Sequence, residues 1–304
     1  MMKDFLCIND YSSEKLLELL GEADKLKKLY KRGERQLCLS GRVLAMFFEK
    51  PSLRTRVSFE VAMFDLGGSS IYVDRADIGG LGEREPIKDV ARVLSRYVDG
   101  IVVRTFAQES VRELARFAEV PVINALTDWS HPCQAMADVM TIREHCGKIE
   151  GIKLAFVGDG NNVARSLAFA AGKFGMKMVI ASPAGYELDD GTVEIANETF
   201  AGSVTRTGQP RQAAADADVI YTDTWVSMGQ ESEKQKRLAD FAGFQVNDEL
   251  LGVAKKDVKV MHCLPAYRGY EVTDEVVESE HSIMLDQAEN RLHFQRALLK
   301  YLMG

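Results

Sequence analysis

Residues 42–66, RVLAMFFEKPSLRTRVSFEVAMFDL, contain in one run the elements from which the whole fold is predicted. An apolar run at 42–48 precedes a polar turn, and a segment with helical spacing of apolar residues follows from Thr55 to Leu66. This order of strand, turn and helix is typical of parallel sheets covered by helices. The turn would offer free backbone N–H groups and the positive end of a helix dipole to one point, which favours a phosphate ligand. The alternative is a capped helix with solvated arginines.

The same alternation extends in both directions from this stretch. An amphipathic helix is expected from Ser13 to about Tyr30 because apolar residues recur there at helical spacing. Further strands are predicted at 70–73, 100–104, 121–124, 153–157, 177–181, 218–222 and 258–263, and helices at 86–97, 109–117, 134–145 and 163–174. The pattern therefore predicts an α/β protein of two domains, each an open, mostly parallel sheet with helices on both faces.

The domain limits follow from length and from one polar segment. With 304 residues, the chain is long enough to divide its core into two domains. The hinge is placed at Gly147–Gly151, which gives a first domain at 1–147 and a second at 148–286. The amphipathic tail 287–304 could pack on either of them.

Composition narrows the class of function. A hydrophobic share of 46% with 27% charged residues is typical of a globular protein, and no apolar run reaches the roughly 18 residues of a membrane span. A net charge of −7 argues against nucleic acid or an anionic membrane as partner, because both need a broad basic face. Five cysteines without a C-x-x-C pair and no visible secretory signal favour the cytoplasm.

Polar residues follow two predicted strands of the first half. Arg104 ends the strand at 100–104, and His131 and Gln134 come after the strand at 121–124. Ligands of open α/β sheets bind at this edge, where Arg104 would supply a cation, His131 a donor to a carbonyl oxygen and Gln134 an amide. A single histidine before a proline is more often a capping or core residue. Zinc is not expected at His131 and Cys133, because further ligands at suitable spacing are lacking.

The second half carries candidate residues at the same kind of position. The segment Gly158–Asn162 resembles half of a dinucleotide fingerprint, but Val163 replaces the third glycine and the next strand ends without an acid. A nicotinamide-dependent dehydrogenase is therefore disfavoured. Asp223 ends a strand and could pair with an ammonium group, or simply cap a turn. Cys263 ends another strand and could equally be an inert buried thiol.

Together these segments resemble the aspartate and ornithine carbamoyltransferase family from about Phe5 to the final helix. Three motifs resemble its carbamoyl-phosphate signatures in the expected order: Ser52-x-Arg54-Thr55-Arg56, His131-Pro132-x-Gln134 with Ala137-Asp138, and His262-Cys263-Leu264-Pro265. The segment Asp223-x-x-x-Ser227-Met228-Gly229 and Cys263 in the late motif resemble the ornithine branch, whose reaction moves the carbamoyl group of carbamoyl phosphate to the side-chain amine of ornithine.

The resemblance implies a role for particular residues and no cofactor or metal. Carbamoyl phosphate would be bound by Ser52, Leu53, Arg54, Thr55, Arg104, His131, Gln134, Cys263, Leu264 and Arg291. Ornithine would be held by Asn162, Asp223, Ser227 and Met228, and the chemistry would be carried by Cys263, Arg104, His131 and Asp223. The family also implies a homotrimer with active sites between subunits, and a last helix that returns to the first domain.

Two positions depart from the family pattern. Leu53 stands where a threonine is usual, so a hydroxyl contact is lost while the backbone N–H remains. Gly80 stands where many relatives place a glutamine or histidine that reaches the neighbouring subunit's ligand.

The acceptor of the carbamoyl group could also be N-acetylornithine, putrescine or another amine. A non-catalytic binding protein of the same fold is a further alternative.

Overall fold

The computed structural model describes residues 3–200 and 203–304, apart from the side chains at 77 and 78. The chain forms two compact units: unit 1 comprises Met1–Ala137 and Asn290–Gly304, and unit 2 comprises Asp138–Glu289. The division between the two units lies inside the helix Pro132–Cys146, and the predicted polar hinge at Gly147–Gly151 directly follows this helix.

Unit 1 is built on a sheet of four parallel strands in the order β2-β1-β3-β4. The strands are β1 (Val43–Phe48), β2 (Ser69–Asp74), β3 (Gly100–Arg104) and β4 (Val122–Leu126). The helices are α1 (Ser13–Lys31), α2 (Leu53–Asp65), α3 (Arg75–Ile78), α4 (Ile87–Leu94) and α5 (Gln108–Phe117), with a 3-10 turn at Ile8–Asp10. Two further helices, α6 (Pro132–Cys146) and α13 (Met284–Met303), contribute residues to both units.

The stretch at 42–66 folds as its pattern predicts. Strand β1 is almost completely buried, as expected for a central parallel strand covered on both faces. Helix α2 begins after Ser52, whose side-chain oxygen accepts the N–H of Thr55 at 3.3 Å. Such a cap satisfies one of the N–H groups that have no partner inside the helix and defines the direction in which the others point.

The strand order of unit 1 determines where a ligand can bind. The chain moves from β1 to β2 on one side, then to β3 and β4 on the other. Because parallel crossovers are right-handed, this reversal places helices on both faces and leaves a crevice outside the carboxyl ends of β1 and β3. These strands end at Phe48 and Arg104, next to the predicted phosphate turn.

Unit 2 contains five parallel strands in the order β7-β6-β5-β8-β9. The strands are β5 (Lys153–Val157), β6 (Lys177–Ala181), β7 (Val204–Thr207), β8 (Val219–Thr222) and β9 (Lys259–His262). The helices are α7 (Asn162–Phe174), α8 (Asp190–Thr199), α9 (Pro210–Ala214), α10 (Lys234–Asp240), α11 (Asp248–Leu251) and α12 (Asp274–Val277), with a 3-10 turn at Glu231–Glu233. The order in which the chain adds strands reverses between β5 and β8. The crevice of this sheet is therefore lined by the segments after Val157 and Thr222.

Among the strands of the described residues, β7 (Val204–Thr207) is the one that the sequence pattern did not predict. It lies at the edge of the sheet and is only four residues long. Val204 is buried, the next two residues are exposed, and Thr207 is partly buried. Edge strands are often short and polar, which removes the apolar signal that marks central strands.

In the part of the chain that the structure describes, no helix has the length and apolar character required to cross a membrane.

Candidate active site

The turn after β1 joins three predicted residues of unit 1. The Ser52 hydroxyl donates to the Thr55 hydroxyl oxygen at 3.0 Å, and Arg291 Nη2 donates to the same oxygen at 2.7 Å. Thr55 and Arg291 are buried, whereas the side chain of Leu53 is 75% exposed. The turn thus combines helix-start N–H groups with a guanidinium that comes from the other end of the chain, an arrangement suited to an oxyanion.

Arg104 is fixed beside this turn by a residue to which the sequence pattern gave no role. Its Nε donates to the carbonyl oxygen of Lys50 at 3.1 Å. The ammonium group of Lys50 forms an ion pair with Asp128 and lies 4.2 Å from the centre of the Phe106 ring. Arg104 is 5% exposed, so its guanidinium is held in a largely desolvated position where it interacts strongly with an anion.

Glu49, in the same turn, is the second residue whose role was missed. Its carboxylate accepts the backbone N–H of Leu81 at 2.8 Å and the hydroxyl of Thr105. These bonds attach the turn to β3 and to the segment that follows Gly80, one of the two positions that depart from the family pattern. Both Glu49 and Lys50 lie within the motif, but their partners are distant in sequence, so only the fold reveals them.

His131 and Gln134 lie at the start of α6 and are both buried. Burial lowers the pKa of His131 well below its usual value, and the positive charges of Arg291 and Arg104 lower it further. The imidazole is therefore neutral at physiological pH and can donate one N–H to a carbonyl oxygen without adding a charge. The structure thus brings His131 close to the two arginines.

The lowered pKa of His131 predicts a pH dependence of stability. Below about pH 6.5 the unfolded chain binds a proton that the folded chain does not, so the free energy of unfolding should fall as the pH decreases through that value. His131→Asn removes this group. We expect the drop in melting temperature between about pH 7.5 and pH 5.5 to be smaller in this variant by roughly 2–4 °C. An equal drop in both proteins, measured by calorimetry, would contradict the buried neutral state.

A second cluster lies in unit 2, at the carboxyl ends of β5, β8 and β9. The carboxylate of Asp223 accepts the Asn161 side-chain amide at 2.7 Å and the thiol of Cys263 at 3.0 Å. Asn161 also caps α7, because its Oδ1 accepts the N–H groups of Val163 and Ala164 at 2.9 and 3.1 Å. The carboxylate is buried, so it offers a desolvated negative charge that suits an ammonium group or an amine.

The other residues predicted to hold ornithine lie on the segments next to this cluster. Asn162 is the first residue of α7 and directly follows Asn161, which contacts Asp223. The backbone N–H of Ser227 donates to Gln230, and Met228 is 46% exposed in the same loop. The capping preference of asparagine at a helix start was the signal that could have indicated Asn161.

Arg237 forms hydrogen bonds to both of the loops that carry this cluster, the loop after β5 and the loop after β8. Its guanidinium donates to Asp159 at 2.7 Å and to the carbonyl oxygen of Trp225 at 3.0 Å, and it also pairs with Glu233. Asp159 belongs to the loop after β5 and Trp225 to the loop after β8. Arg237 is buried, and the sequence analysis gave it no role because its partners Asp159 and Trp225 are distant in the chain.

The end of β9 and the loop that follows it contain a buried histidine–carboxylate pair, His262 and Glu271. His262 Nδ1 accepts the N–H of Leu264 at 2.8 Å, so its Nε2 carries the proton and donates to Glu271 at 3.2 Å. Donor atoms of Asp223, His262 and Cys263 lie within 4.8 Å of one another. Since both ring nitrogens of His262 are already engaged, this group is built as a hydrogen-bond network and its histidine is not oriented toward a shared metal.

The segment that resembles a dinucleotide fingerprint serves packing within unit 2. A Cβ added at Gly160 would lie 2.2 Å from the backbone nitrogen of Leu188. In nucleotide-binding loops the corresponding space admits a pyrophosphate, whereas here the chain's own backbone occupies it. This close approach requires a glycine and gives a physical reason against the dehydrogenase alternative.

The predicted residues divide between the two units. Unit 1 contains Ser52, Leu53, Arg54, Thr55, Arg104, His131, Gln134 and Arg291, and unit 2 contains Asn162, Asp223, Ser227, Met228, Cys263 and Leu264. Two parallel α/β units, each with polar groups at the reversal of its strand order, define a substrate-binding α/β enzyme.

Comparison with known proteins identifies the family. The carbamoyl-P binding domain of the aspartate/ornithine carbamoyltransferases matches residues 3–144, and their Asp/Orn binding domain matches residues 150–302. The chain therefore belongs to the aspartate/ornithine carbamoyltransferase family, and the resemblance seen in its motifs is confirmed.

Individual relatives match over the full length. The chain is 53% identical to the ornithine carbamoyltransferase of Anoxybacillus flavithermus over 301 residues, 98% of this chain and 95% of that one. It is 52% identical to that of Methanosarcina mazei over 303 residues, which cover 100% of both. The solved structure of ornithine carbamoyltransferase from Pyrococcus furiosus superposes with a TM-score of 0.96 at 51% identity, covering 99% of this chain and 97% of that one. The predicted fold class is confirmed as well.

Proposed function

We propose that the chain transfers the carbamoyl group of carbamoyl phosphate to the δ-amine of L-ornithine and forms L-citrulline and phosphate. The observation that carries the proposal is the turn at the start of α2, where Ser52, Thr55 and Arg291 are joined by hydrogen bonds. The family and the activity named for the full-length relatives support it. Citrulline formation from the two substrates is the direct test, and its absence in folded protein would refute the proposal.

Carbamoyl phosphate presents a phosphate to be neutralised and a carbonyl to be polarised. The N–H groups of residues 53–55, Arg54 and Arg104 would bind the phosphate, while the neutral His131 would donate to the carbonyl oxygen. Negative charge grows on that oxygen as the amine attacks, and preorganised donors stabilise it. Thr55 contributes as well: its oxygen accepts two hydrogen bonds, so its own proton can be directed to the ligand.

Ornithine must deliver a neutral amine, although an alkyl amine has a pKa near ~10.4 and is mostly protonated at neutral pH. Asp223, with Asn161, Asn162 and Cys263, would bind and orient this group. The amine nitrogen bonds to the carbonyl carbon, the bond from that carbon to the phosphate oxygen breaks, and phosphate leaves with the electron pair. The proton that the ammonium group loses before attack passes to solvent, and the proton that the nitrogen loses after attack passes to Asp223 or to the departing phosphate, which is the stronger base.

The acceptor is best tested with a panel of amines at one concentration of carbamoyl phosphate. We expect L-ornithine to be carbamoylated much faster than N-acetylornithine or putrescine. A buried carboxylate beside the Asn161 amide suits a diamino acid, which carries both a free amine and groups for hydrogen bonding. Preference for putrescine would show that the α-amino and α-carboxylate groups are not recognised.

We propose that the chain forms a homotrimer with active sites between subunits, as the family resemblance implies. Large apolar side chains are exposed along α2 and on the adjacent edge strand β2: Leu53, Val57, Phe64 and Ile71 are 46–75% exposed. Several large apolar side chains exposed on neighbouring elements commonly mark a protein–protein contact. A cytoplasmic location is proposed too, since the five cysteines form no disulfide with one another in this structure.

Val57→Glu should weaken this association because it places a charge in the apolar surface of α2. We expect sedimentation equilibrium to show a shift from trimer toward monomer, while the melting curve of the separated monomer stays cooperative. Tyr97→Glu is the matched control, since Tyr97 is 74% exposed on unit 1 but lies outside this surface. A wild-type protein that sediments as a monomer would refute the trimer.

A further inference from the structure

We propose that Gln108, the first residue of α5, is a positioning residue that holds the turn before His131 and thereby directs the imidazole toward the carbonyl of the carbamoyl donor. The inference rests on the proposed function for its kinetic effect. Gln108 is buried and was given no role from the sequence. It lies 23 positions before the histidine, so a local motif could not connect the two.

The turn at Thr127–Ser130 depends on one hydroxyl group. Thr127 Oγ1 accepts the backbone N–H groups of Ser130 at 3.0 Å and of Trp129 at 3.3 Å, and Thr127 N donates to the Ser130 carbonyl at 2.9 Å. Since both lone pairs of the hydroxyl oxygen are occupied, its proton must go to another acceptor. Gln108 Oε1, at 2.6 Å, is the nearer acceptor, and the Ser130 carbonyl oxygen lies at 3.4 Å.

The same amide oxygen receives two more donors. Ser130 Oγ lies 3.2 Å and Asn124 Nδ2 3.3 Å from Gln108 Oε1, while Gln108 Nε2 donates to the Leu6 carbonyl at 3.4 Å. All of these side chains are buried, where an unsatisfied polar group is unfavourable. Asn124 Nδ2 also donates to the Leu6 carbonyl at 3.0 Å and to Ser130 Oγ at 2.9 Å, so Gln108 belongs to a network that joins β4 to the turn, and its shortest bond in that network is to Thr127.

The consequence for His131 follows from chain connectivity. Ser130 is held by its N–H, its carbonyl and its hydroxyl, and the next residue opens α6 by accepting the N–H groups of Gln134 and Ala135 at 3.2 Å. Because a displacement of about 1 Å in a catalytic group can lower a rate about 100-fold, an ordered turn has a direct kinetic value. Gln108 itself contacts the turn, not the substrate groups.

Two variants separate positioning from general stability. Gln108→Met keeps the length of the side chain and removes the acceptor, whereas Gln108→Glu keeps an acceptor oxygen. We expect Gln108→Met to lower kcat about 10–100-fold with an unchanged KM for ornithine, and Gln108→Glu to recover most of that loss. Thr127→Val should reproduce the defect, and Thr127→Ser, which keeps the hydroxyl, should not.

Amide hydrogen exchange provides a readout that does not depend on turnover. The Trp129 and Ser130 amides should exchange faster in Gln108→Met than in the wild type and in Gln108→Glu, with the core strands β1 and β3 unaffected. A normal kcat in Gln108→Met, or unchanged exchange at these two amides, would overturn the proposal. If wild-type protein makes no citrulline, the proposed function fails, and exchange alone then decides whether Gln108 orders the turn.

Discussion

Arg54→Ala should lower kcat/KM for carbamoyl phosphate about 10³-fold, the size of effect seen when a preorganised donor to developing negative charge is removed. Arg54 lies in the first turn of α2, next to the cap formed by Ser52 and to Thr55. It is only partly buried, so its loss leaves no large cavity and the melting temperature should stay close to that of the wild type. Steady-state kinetics with varied carbamoyl phosphate measure the effect.

Arg56 provides a matched control two positions further along the same helix. Its guanidinium lies 3.9 Å from the centre of the Tyr72 ring and pairs with Glu60 at 3.0 Å, on the exposed side of α2. Arg56→Ala removes the same charge from the same helix, so a general loss of positive potential would affect both variants equally. We expect Arg56→Ala to change kcat/KM little. Near-normal activity of Arg54→Ala would remove the phosphate assignment.

Asp223→Asn should lower kcat/KM for ornithine about 10²- to 10³-fold, because the loss of one partner from a buried charge interaction typically costs about 2–5 kcal/mol. The substitution keeps the size of the side chain and an oxygen that can accept from Asn161, but it removes the negative charge and the acceptor for the Cys263 thiol. Binding of carbamoyl phosphate, followed by thermal shift, should be preserved because Asp223 belongs to unit 2 and the phosphate turn to unit 1.

The control for this variant is Asp190→Asn in the same unit. Asp190 is exposed at the start of α8 and pairs with Arg206, so the same change in formal charge occurs away from the cluster. We expect its kinetics with ornithine to match the wild type. Equal losses with every acceptor amine in Asp223→Asn would argue against a specific role in binding ornithine and for a general defect in the loop.

Much of the fold was predictable because it is encoded in short, strong patterns. Central parallel strands are continuous apolar runs, and β3, β5 and β6 were predicted with the bounds that the structure has. Helix starts such as Ser52 carry capping residues that act locally. The edge strand β7 was missed because its exposed positions dilute the apolar signal.

The candidate site was predicted in its residue types but not in its contacts. Motif order indicated the phosphate turn, His131, Asp223 and Cys263, since each follows a strand at the ligand edge of its sheet. The partners of these groups stayed hidden. Asn161 contacts Asp223, and Glu49, Lys50, Gln108 and Arg237 had no assigned role. Each of them acts through a hydrogen bond or ion pair to a residue distant in the chain.

Sequence by itself determined the family, the two parallel sheets and the chemical groups that end their strands, because periodicity, caps and motif spacing act over a few residues. Only the tertiary structure decided which of these groups touch. Arg291 reaches Thr55 across 236 positions, and Cys263 reaches Asp223 across 40. Such pairings depend on how helices and strands pack, and packing is a property of the whole chain that no local stretch contains.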